Sequence, residues 1–417
     1  MRVLLSTYDS RGGVEPLAGL AVQLRALGAQ VRVCVPPDEE FAKLLARAGA
    51  QVVPFGGSVR AMTTAATPPS EADLRRHVDE MIAAQFGTVA AAAEGCDALV
   101  ATGLVWTAAG ARSVTEKLGI RYVYASYHPP HLPSPHYPPP SYVGSPMSLI
   151  VDNRVLWERD AQDANVLLGP TLNSHRASIG LPPVDDVRGY AFTEHPWLAA
   201  DPTLGPWLGQ TDLDVVQTGA WLLPDERPLP SELVAFLDAG TPPVYVGFGS
   251  MALRGSQDLA RVAIEATRAQ GRRALISHGW ADLVPIDDLD DCFAVGEVNH
   301  QALFGRVAAV MHHGGAGTTT TAALAGAPQV VIPQGADQLY WAARVVNLGI
   351  GTAYDGRTAT VESLSVALQT ALSPETHARA GAVAGTVSTD GAMVAATLLV
   401  DAINQGNQRA NSDSSTP

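Results

Sequence analysis

The sequence predicts an α/β protein made of two doubly wound parallel sheets, and three observations support this prediction. Short apolar runs alternate with segments of helical periodicity along most of the chain. The two halves open alike, each with an apolar strand that runs into a glycine loop, at Gly12-Gly13 and at Gly247 and Gly249. The length of 417 residues suits two or three domains, each with its own core.

Composition narrows the class of protein. With 27 basic and 41 acidic residues the net charge is −14, which argues against nucleic acid or an anionic membrane as the main partner. Three scattered cysteines, Cys34, Cys96 and Cys292, predict neither a disulfide framework nor a zinc cluster. They favour a reducing, cytoplasmic location. No secretory signal is visible, and no apolar run reaches the ~18 residues of a membrane span.

The N-terminal half begins with a buried-strand candidate, Arg2–Ser6, followed by apolar residues at helical spacing over Glu15–Leu27. Gly28 stops that helix. Further strands are expected at Val31–Val35, Ala98–Ala101 and Tyr122–Ala125, and further helices at Phe41–Ala48 and Thr107–Leu118. Because strands and helices alternate, the crossovers are expected to be right-handed and the sheet parallel.

A proline-rich stretch then interrupts the alternation. His128–Ser145 carries seven prolines, which block both a helix and a central strand, so a loop is expected. Its histidines, His128, His131 and His136, lack the i,i+4 spacing of a helical metal site, and no metal is expected there. The loop is either a polar, aromatic wall for an acceptor or plain surface. Helical character returns over Asp152–Leu168.

A second boundary lies at the proline-rich Leu222–Pro230, after which the alternation restarts. Strands are expected at Pro243–Gly247, Arg273–Ser277, Cys292–Val295, Ala308–His312 and Gln329–Ile332, with a helix at Asp258–Ala269. The simplest interpretation is two α/β domains that face each other across a cleft. Ligands of open parallel sheets bind beyond the carboxyl ends of the strands.

The strongest candidate for chemistry is Val310–Gly326, VMHHGGAGTTTTAALAG. Its strand ends in two histidines, and Gly314–Gly317 lead into a helix that opens with threonines. Backbone amides and the dipole of a helix start favour an anion, and His313 and Thr318 can add donors. The pattern predicts a diphosphate cradle without the lysine of a P-loop. A tight strand–helix connection with a capping threonine is the alternative.

Other segments are weaker candidates for the same ligand. Asp337-Gln338 begins a helix and suits sugar hydroxyls, although an N-capping Asp would look the same. Gly247–Ser250 and Ser10–Gly13 are glycine turns that could complete the phosphate site, the second with Arg11 as a bidentate partner.

Two further features could contact a base. Trp280 either stacks on it or is a half-buried core residue. Gly296–His300 follows a strand and could present backbone groups to a base edge.

Together these motifs resemble glycosyltransferase family 1, above all the natural-product glycosyltransferases of actinobacteria and their glycopeptide-antibiotic pathways. The resemblance rests on HHGGAGTT followed by PQGADQLY, on GFGS, on GRRALISHGWADL and on the N-terminal SRGGVEPLAGLAVQLRALGA. It runs from Met1 to about Asn404.

The resemblance implies the GT-B fold, with two Rossmann-like domains and an interdomain cleft. Residues 1–221 would bind the acceptor, 222–230 would be a linker, and 231–388 would bind a nucleotide sugar. A C-terminal helix over about 389–404 is expected to pack back on the first domain, with 405–417 as a disordered tail.

The resemblance also implies roles for individual residues. His313 would contact the α-phosphate, Thr318 with Gly315–Gly317 the diphosphate, and Asp337-Gln338 the sugar. The whole donor set is Ser10, Arg11, Gly12, Ser250, Trp280, Val298, His313, Gly315, Ala316, Gly317, Thr318, Asp337 and Gln338, and the acceptor set is His128, His136, Tyr137 and Tyr142. Neither metal nor cofactor is implied beyond the UDP- or dTDP-sugar itself, because helix dipole, histidine and hydroxyls offset the leaving-group charge.

The chain departs from this family at the catalytic base. The family loop usually reads GSRGD and its final acid is the base, whereas this chain reads DSRGG and has Gly13 there. Three explanations remain open. Asp9 takes over as the base, His128 near the acceptor serves instead, or no strong base is needed because the acceptor is an acidic phenol or the enzyme is slow or inactive.

We therefore expect an inverting glycosyltransferase that moves a hexose to a hydroxyl of a small-molecule or peptide natural product, such as a glycopeptide aglycone or polyketide. A nucleotide-sugar-binding auxiliary protein that has lost catalysis is the alternative, and a nucleotide-sugar epimerase is a weaker third. The protein is expected to be a monomer or weak homodimer.

Overall fold

The computed structural model describes residues 1–65, 70–143, 148, 150–209, 211–250, 256–287, 289–354 and 359–413. It forms two compact units. The first comprises Met1–Ala200, Trp207–Leu223 and Ser388–Pro417, and the second Asp201–Pro206 and Pro224–Val387. Each unit holds one sheet in which every pair of neighbouring strands is parallel, which confirms the predicted fold class.

The first unit is built on seven strands. They are β1 Arg2–Ser6, β2 Gln30–Val35, β3 Gln51–Pro54, β4 Ala98–Thr102, β5 Arg121–Ser126, β6 Trp197–Leu198 and β7 Val216–Gln217. The helices of this unit that precede β6 in the chain are α1 Arg11–Ala26, α2 Glu39–Arg47, α3 Val59–Thr63, α4 Glu71–Ala84, α5 Ala90–Ala93, α6 Val105–Leu118, α7 Asn153–Ser178 and α8 Val187–Phe192. The strand order is β3-β2-β1-β4-β5-β6-β7.

The second unit is built on six strands. They are β8 Val244–Gly247, β9 Ala274–Ser277, β10 Cys292–Val295, β11 Ala309–His312, β12 Gln329–Val331 and β13 Gly351–Ala353. Its helices are α9 Ser231–Asp238, α10 Ser256–Ala269, α11 His300–Leu303, α12 Ala316–Leu324, α13 Ala336–Asn347, α14 Val361–Ala371 and α15 Pro374–Ala384. The strand order is β10-β9-β8-β11-β12-β13.

Both faces of the second sheet are buried. Val244 and Val246 of β8 point into an apolar cluster that includes α10 and α14. Tyr245, between them, points into a cluster on the other face that includes α9 and α11. A parallel strand covered on both sides reads as a continuous apolar run, which is why VYVG was recognisable in the sequence.

Each sheet has a point where the chain reverses its direction of winding. In the first unit it lies between β1 and β4, and in the second between β8 and β11. Crossovers leave these neighbouring strands toward opposite faces of the sheet, so a crevice opens beyond their carboxyl ends. Such crevices are the preferred ligand sites of doubly wound sheets, and both contain residues singled out from the sequence.

Several predicted element boundaries were wrong. Helix α1 begins at Arg11 rather than Glu15, so Arg11, Gly12 and Gly13 form its first turn instead of a loop. Helix α7 runs ten residues past the predicted Leu168, because Leu172 and Arg176 continue its buried face beyond Pro170. The sequence did not predict four short strands, β3, β6, β7 and β13, because two to four residues carry too little periodicity.

The expected disordered tail at 405–417 was also wrong over most of its length. The final helix, α16, runs from Gly391 to Asp413. Its buried residues repeat at helical spacing, with Ala392, Ala395, Ala396, Leu399 and Ile403 turned inward. Once this stripe has anchored the helix, each further polar residue adds a backbone hydrogen bond at low cost. Residues 414–417 lie outside the described part of the chain.

Replacing Gly391 by Val is expected to lower the free energy of unfolding by about 1–3 kcal/mol, the usual cost of overpacking. A Cβ at Gly391 would lie 2.3 Å from the Gly219 carbonyl carbon and 2.6 Å from the Ala220 oxygen, and backbone cannot yield cheaply. Urea unfolding measures the effect. In the same helix, a Cβ at Gly406 meets no described atom within 4 Å, so Gly406→Ala is the matched control and should be neutral or stabilising. Equal losses in both variants would contradict the tight docking of α16.

Candidate active site

In the second unit, His312 fixes the loop that follows β11. Its ring is buried, Nδ1 accepts a hydrogen bond from the Gly314 amide at 3.1 Å, and Nε2 lies 2.9 Å from Oε1 of Gln329. The amide can only donate, so the proton of the neutral ring sits on Nε2 and is donated to Gln329. Burial, with a smaller effect of His313, lowers the pKa of His312 to about 3.

His313, the next residue, lies between two glycines. A Cβ at Gly315 would come within 2.6 Å of its Nε2, and one at Gly249 within 3.2 Å of its Cε1. Its Nδ1 is buried and has no hydrogen-bond partner among the residues that the structure describes. Burial lowers the pKa of His313 to about 4 against an opposing effect of the Asp337 carboxylate. A neutral ring with an unused nitrogen is therefore held between the ends of β11 and β8.

Helix α12 begins directly after this loop. Its N-cap is Gly315, which supplies no side-chain oxygen to the first amides. The hydroxyls of Thr319 and Thr320 donate to the carbonyls of Gly315 and Ala316, at 2.9 and 2.8 Å. Thr318 is half-exposed in the first turn. The open amides, the positive helix end and a nearby hydroxyl are the components of an anion site.

Acid is expected to destabilise this unit through the two buried histidines. Both would bind a proton in the unfolded chain near pH 6.5, but in the folded chain only near pH 3 and 4. Between those values the unfolded chain binds more protons, so the free energy of unfolding falls as pH falls from about 6.5.

The slope contributed by each histidine is about 1.4 kcal/mol per pH unit. Urea unfolding from about pH 7 down to about pH 5 measures it. His312→Gln removes one titrating ring, and its slope should be visibly shallower than that of the parent. An unchanged slope in that variant would show that His312 does not titrate as described.

The β8 loop and Trp280 are tied together. The Trp280 amide donates to the Gly249 oxygen at 2.9 Å, and the ring is 9% exposed. Ser250, the residue after Gly249, is half-exposed. Val298 is 6% exposed and packs into the apolar cluster with Tyr245 and other core residues. Its side chain therefore serves the core, so a contact of Val298 itself with a base would involve its backbone groups.

Asp337 and Gln338 lie in the first turn of α13, whose N-cap is Gly335 without a side-chain hydrogen bond. Oε1 of Gln338 accepts from the Gln334 amide at 2.7 Å, and the residue is 7% exposed. A Cβ at Gly314 would lie 3.1 Å from the backbone oxygen of Gln338, so the first turn of α13 contacts the loop that follows β11. Asp337 is half-exposed and within electrostatic reach of His313.

In the first unit, the Asp9 carboxylate occupies the space beside Gly13. A Cβ at Gly13 would lie 2.5 Å from Cβ, 2.7 Å from Cγ and 2.6 Å from Oδ2 of Asp9. The Ser10 amide holds the other carboxylate oxygen at 2.6 Å. The hydroxyl of Tyr127 donates to the Gly13 oxygen at 3.1 Å, and sequence reasoning missed this residue. Asp9 thus reaches the place where a side chain at position 13 would start.

The other residues predicted in this segment, Ser10, Arg11 and Gly12, differ in their surroundings. Nε of Arg11 donates to Glu15 of the same helix at 2.6 Å, which draws its guanidinium along α1. Ser10 is the N-cap of that helix and makes no side-chain cap bond, and Gly12 is exposed.

The proline-rich loop is ordered by contacts with α7. The Trp157 ring donates to the Tyr137 oxygen at 2.9 Å, and Asn153 donates to the Pro135 oxygen at 3.0 Å. His136 has a buried Nε2 without a partner among the described residues. Such a nitrogen is available to a polar group of a ligand. The Tyr142 side chain and residues 144 and 145 lie outside the described part.

His128 occupies the other end of this loop, directly after β5. Its amide donates to the Ser126 hydroxyl at 3.1 Å, and its ring lies 4.7 Å from that of His131. Burial lowers the pKa of His128 to about 4, so the ring is neutral near pH 7. It can accept a proton there only weakly.

The described residues contain neither a candidate metal site nor a candidate membrane-spanning helix. No three or more His, Cys, Asp or Glu side chains converge there in a way that could hold a metal ion. Nor does any helix combine the length and the apolar character that crossing a membrane requires.

Two Rossmann-like units, each with an all-parallel sheet, are the architecture of the GT-B fold. Solved structures share the fold at low identity. Glycosyltransferase VinC in complex with dTDP has a TM-score of 0.69 at 19% identity, covering 97% of this chain and 100% of that one. Spinosyn forosaminyltransferase SpnP has a TM-score of 0.70 at 20% identity, covering 97% and 99%.

Sequence relatives define the family. The vancomycin aglycone glucosyltransferase of Amycolatopsis orientalis is 60% identical over 406 residues, 97% of this chain and 98% of the relative. The dTDP-epi-vancosaminyltransferase of the same organism is 51% identical over 412 residues, with 97% and 98% covered. Residues 286–392 match the erythromycin biosynthesis protein CIII-like C-terminal domain. The chain belongs to the actinobacterial natural-product glycosyltransferases, which confirms the family predicted from its motifs.

Proposed function

We propose that this glycosyltransferase moves a hexose, glucose or a close relative, from a UDP- or dTDP-sugar to a phenolic or alcoholic hydroxyl of a glycopeptide aglycone or similar natural product, with inversion. Binding of the sugar nucleotide is supported above all by Nδ1 of His313, which is buried beside the open start of α12 and has no hydrogen-bond partner among the described residues. A buried nitrogen without a partner is costly, and a phosphate oxygen would satisfy it.

Donor binding follows from the chemistry of the second unit. The α12 amides, Thr318 and His313 would hold the diphosphate, and Asp337 would accept from sugar hydroxyls. Glucosyl transfer by one relative supports a hexose, and the dTDP in the name of another supports dTDP as one of the two candidate nucleotides. A metal ion is not required in this scheme, because the helix end and the donors offset the charge that develops on the leaving diphosphate.

The transfer itself is a single displacement. The acceptor oxygen forms a bond to the anomeric carbon as the bond from that carbon to the β-phosphate oxygen breaks on the opposite face. The proton of the acceptor hydroxyl passes to a carboxylate, and we assign this role to Asp9. Its side chain fills the space beside Gly13, the position where the family carries its base, and this supports a base that has moved along the chain.

The test uses the purified full chain with UDP-glucose and dTDP-glucose as donors and vancomycin aglycone as acceptor. Mass spectrometry should detect a hexosylated product, and NMR of the new linkage should show the anomeric configuration opposite to that of the donor. Calorimetric titration with UDP and dTDP measures donor choice separately. The proposal fails if neither nucleotide binds and no nucleotide sugar is consumed.

One alternative function has its own observation, the glycine at position 13. A nucleotide-sugar-binding auxiliary protein would bind UDP or dTDP but would leave both donors and the aglycone unchanged. The same experiment therefore separates the two, since binding without turnover favours the auxiliary role.

A further inference from the structure

Aromatic side chains meet at the winding reversal of the first unit. Tyr8 follows β1 by two residues and Trp106 lies in the first turn of α6, which follows β4. Because β1 and β4 are neighbours, these rings come together, with centroids 5.9 Å apart at 61°. Ligands of doubly wound sheets bind in this crevice, so the pair occupies a functional position.

Two further rings complete the group. His77 of α4 lies 5.4 Å from Tyr8 and 5.8 Å from Trp106, and Phe55 lies 5.8 Å from Tyr8. We call Tyr8, Phe55, His77 and Trp106 the aromatic cluster. Three of its four contacts are edge-to-face, the geometry that aromatic pairs prefer. His77 and Trp106 are half-exposed, so one side of the cluster is open.

The cluster holds two polar atoms whose hydrogen-bonding capacity the fold does not fully use. Nε2 of His77 is buried without a hydrogen-bond partner among the described residues, and the buried hydroxyl of Tyr8, a residue 5% exposed, has no group there to which it donates. Burial, with a smaller effect of Asp38, raises the pKa of Tyr8, and a hydrogen bond from the Gly57 backbone opposes this shift, so the phenol stays protonated and can donate. Folded proteins satisfy nearly all buried polar atoms, so two such atoms in one cluster need an explanation.

We propose that the aromatic cluster is the subsite that receives an aromatic ring of the acceptor, with the Tyr8 hydroxyl and His77 Nε2 hydrogen-bonded to a polar substituent on that ring. The inference rests on the proposed function for the class of acceptor. Tyr8 immediately precedes Asp9 in the chain, so the aromatic cluster and the carboxylate assigned as the base belong to the same loop after β1. The cluster carries no fixed charge, as a subsite for a neutral phenol requires.

Tyr8→Phe and His77→Phe test the subsite, since Tyr8→Phe removes only the hydroxyl and His77→Phe replaces the imidazole by an apolar ring. Loss of one hydrogen bond should raise the KM for vancomycin aglycone by about 3- to 10-fold, with the KM for the sugar nucleotide unchanged. Titration of the donor-free enzyme with the aglycone and with 4-methylphenol, followed by tryptophan fluorescence, should show the same loss of affinity. The unfolding midpoint of Tyr8→Phe should fall less than that of the control below, because the phenol O–H donates to no described group.

Tyr122→Phe is the matched control, because the Tyr122 hydroxyl donates to the Ala191 oxygen at 2.8 Å within the core of the same unit. It should lower the unfolding midpoint and leave aglycone affinity unchanged. The inference is overturned if Tyr8→Phe and His77→Phe behave like this control, or if the parent binds neither probe. Failure of the proposed function would instead appear as absent nucleotide binding and turnover, which this donor-free titration does not involve.

Discussion

Replacement of Asp9 by Asn is expected to lower kcat for sugar transfer by about 10²–10⁴-fold, the usual contribution of a general base. Asn keeps the size of the side chain, and its oxygen can still accept from the Ser10 amide that now holds the carboxylate at 2.6 Å. It cannot take a proton from the acceptor. The measurement is steady-state transfer to vancomycin aglycone, with calorimetric UDP and dTDP affinity expected within about twofold of the parent.

A paired substitution tests whether the base has moved. Gly13→Asp alone should not improve the enzyme, because its Cβ would lie 2.5–2.7 Å from three Asp9 side-chain atoms. Asp9→Gly removes all three of these atoms, so the double variant Asp9→Gly, Gly13→Asp has room for the carboxylate at position 13. It should recover much of the activity lost in Asp9→Gly. Among the described residues, a Cβ at Gly12 would meet the Ser10 hydroxyl alone, at 3.8 Å, so Asp9→Gly with Gly12→Asp is the control for position.

His128 is the competing base, and its substitution separates the two assignments. His128→Gln should reduce kcat far less than Asp9→Asn does, because burial holds the pKa of His128 near 4 and makes it a weak proton acceptor at pH 7. Full activity in Asp9→Asn together with an inactive His128→Gln would transfer the role to the histidine. Full activity in both would favour an acceptor that needs no strong base.

The sheets were predictable because their signal is local. Strands such as Arg2–Ser6 and Cys292–Val295 were predicted with their observed bounds, since each is a short apolar run bounded by turn residues. The start of α1 was not, because two glycines look like a turn. In the structure Ser10 occupies the N-cap and both glycines lie in the first helical turn.

The strand, loop and helix start around His313 were also predictable from their own residues. HHGG after a strand and TTTT in a helix start are a local pattern, and the structure puts His313 beside the open end of α12. The sequence does not reveal which of these side chains make hydrogen bonds within the protein and which do not. In the structure, the side chains of His312 and Thr319 make hydrogen bonds within the protein, whereas Nδ1 of His313 has no partner among the described residues.

The remaining features depend on residues distant in the sequence. The Asp9 Cβ lies 2.5 Å from the place that a Cβ at position 13 would take, and the spacing of the two residues in the sequence does not reveal this contact. The place of Val298 near a base was implied by the family resemblance, and only the structure shows that its side chain packs into the core. His77 comes from α4 and joins the ring of Tyr8 after β1, and nothing local marks a histidine on a largely polar helix as part of a ligand site.

His313→Ala is the second large-effect substitution, with kcat for transfer expected to fall about 10²–10³-fold, as when one preorganised donor to a developing anion is removed. The ring leaves its place between Gly249 and Gly315, and the diphosphate loses the only donor that the β11 loop adds to the α12 amides in this proposal. Affinity for UDP or dTDP should fall less than kcat, because the charge on the leaving diphosphate is greatest in the transition state.

His313→Asn identifies which nitrogen acts. An Asn amide reaches roughly the place of Nδ1, whereas a Gln amide reaches that of Nε2, so partial rescue by Asn and not by Gln would match the unpartnered Nδ1. Thr319→Val is the control for general damage to α12, because this buried hydroxyl donates at 2.9 Å to the Gly315 oxygen and faces no ligand. It should lower the unfolding midpoint and retain most of kcat. A His313→Ala enzyme that turns over like the parent would remove the His313–phosphate contact from the mechanism and leave the diphosphate to the α12 amides and Thr318.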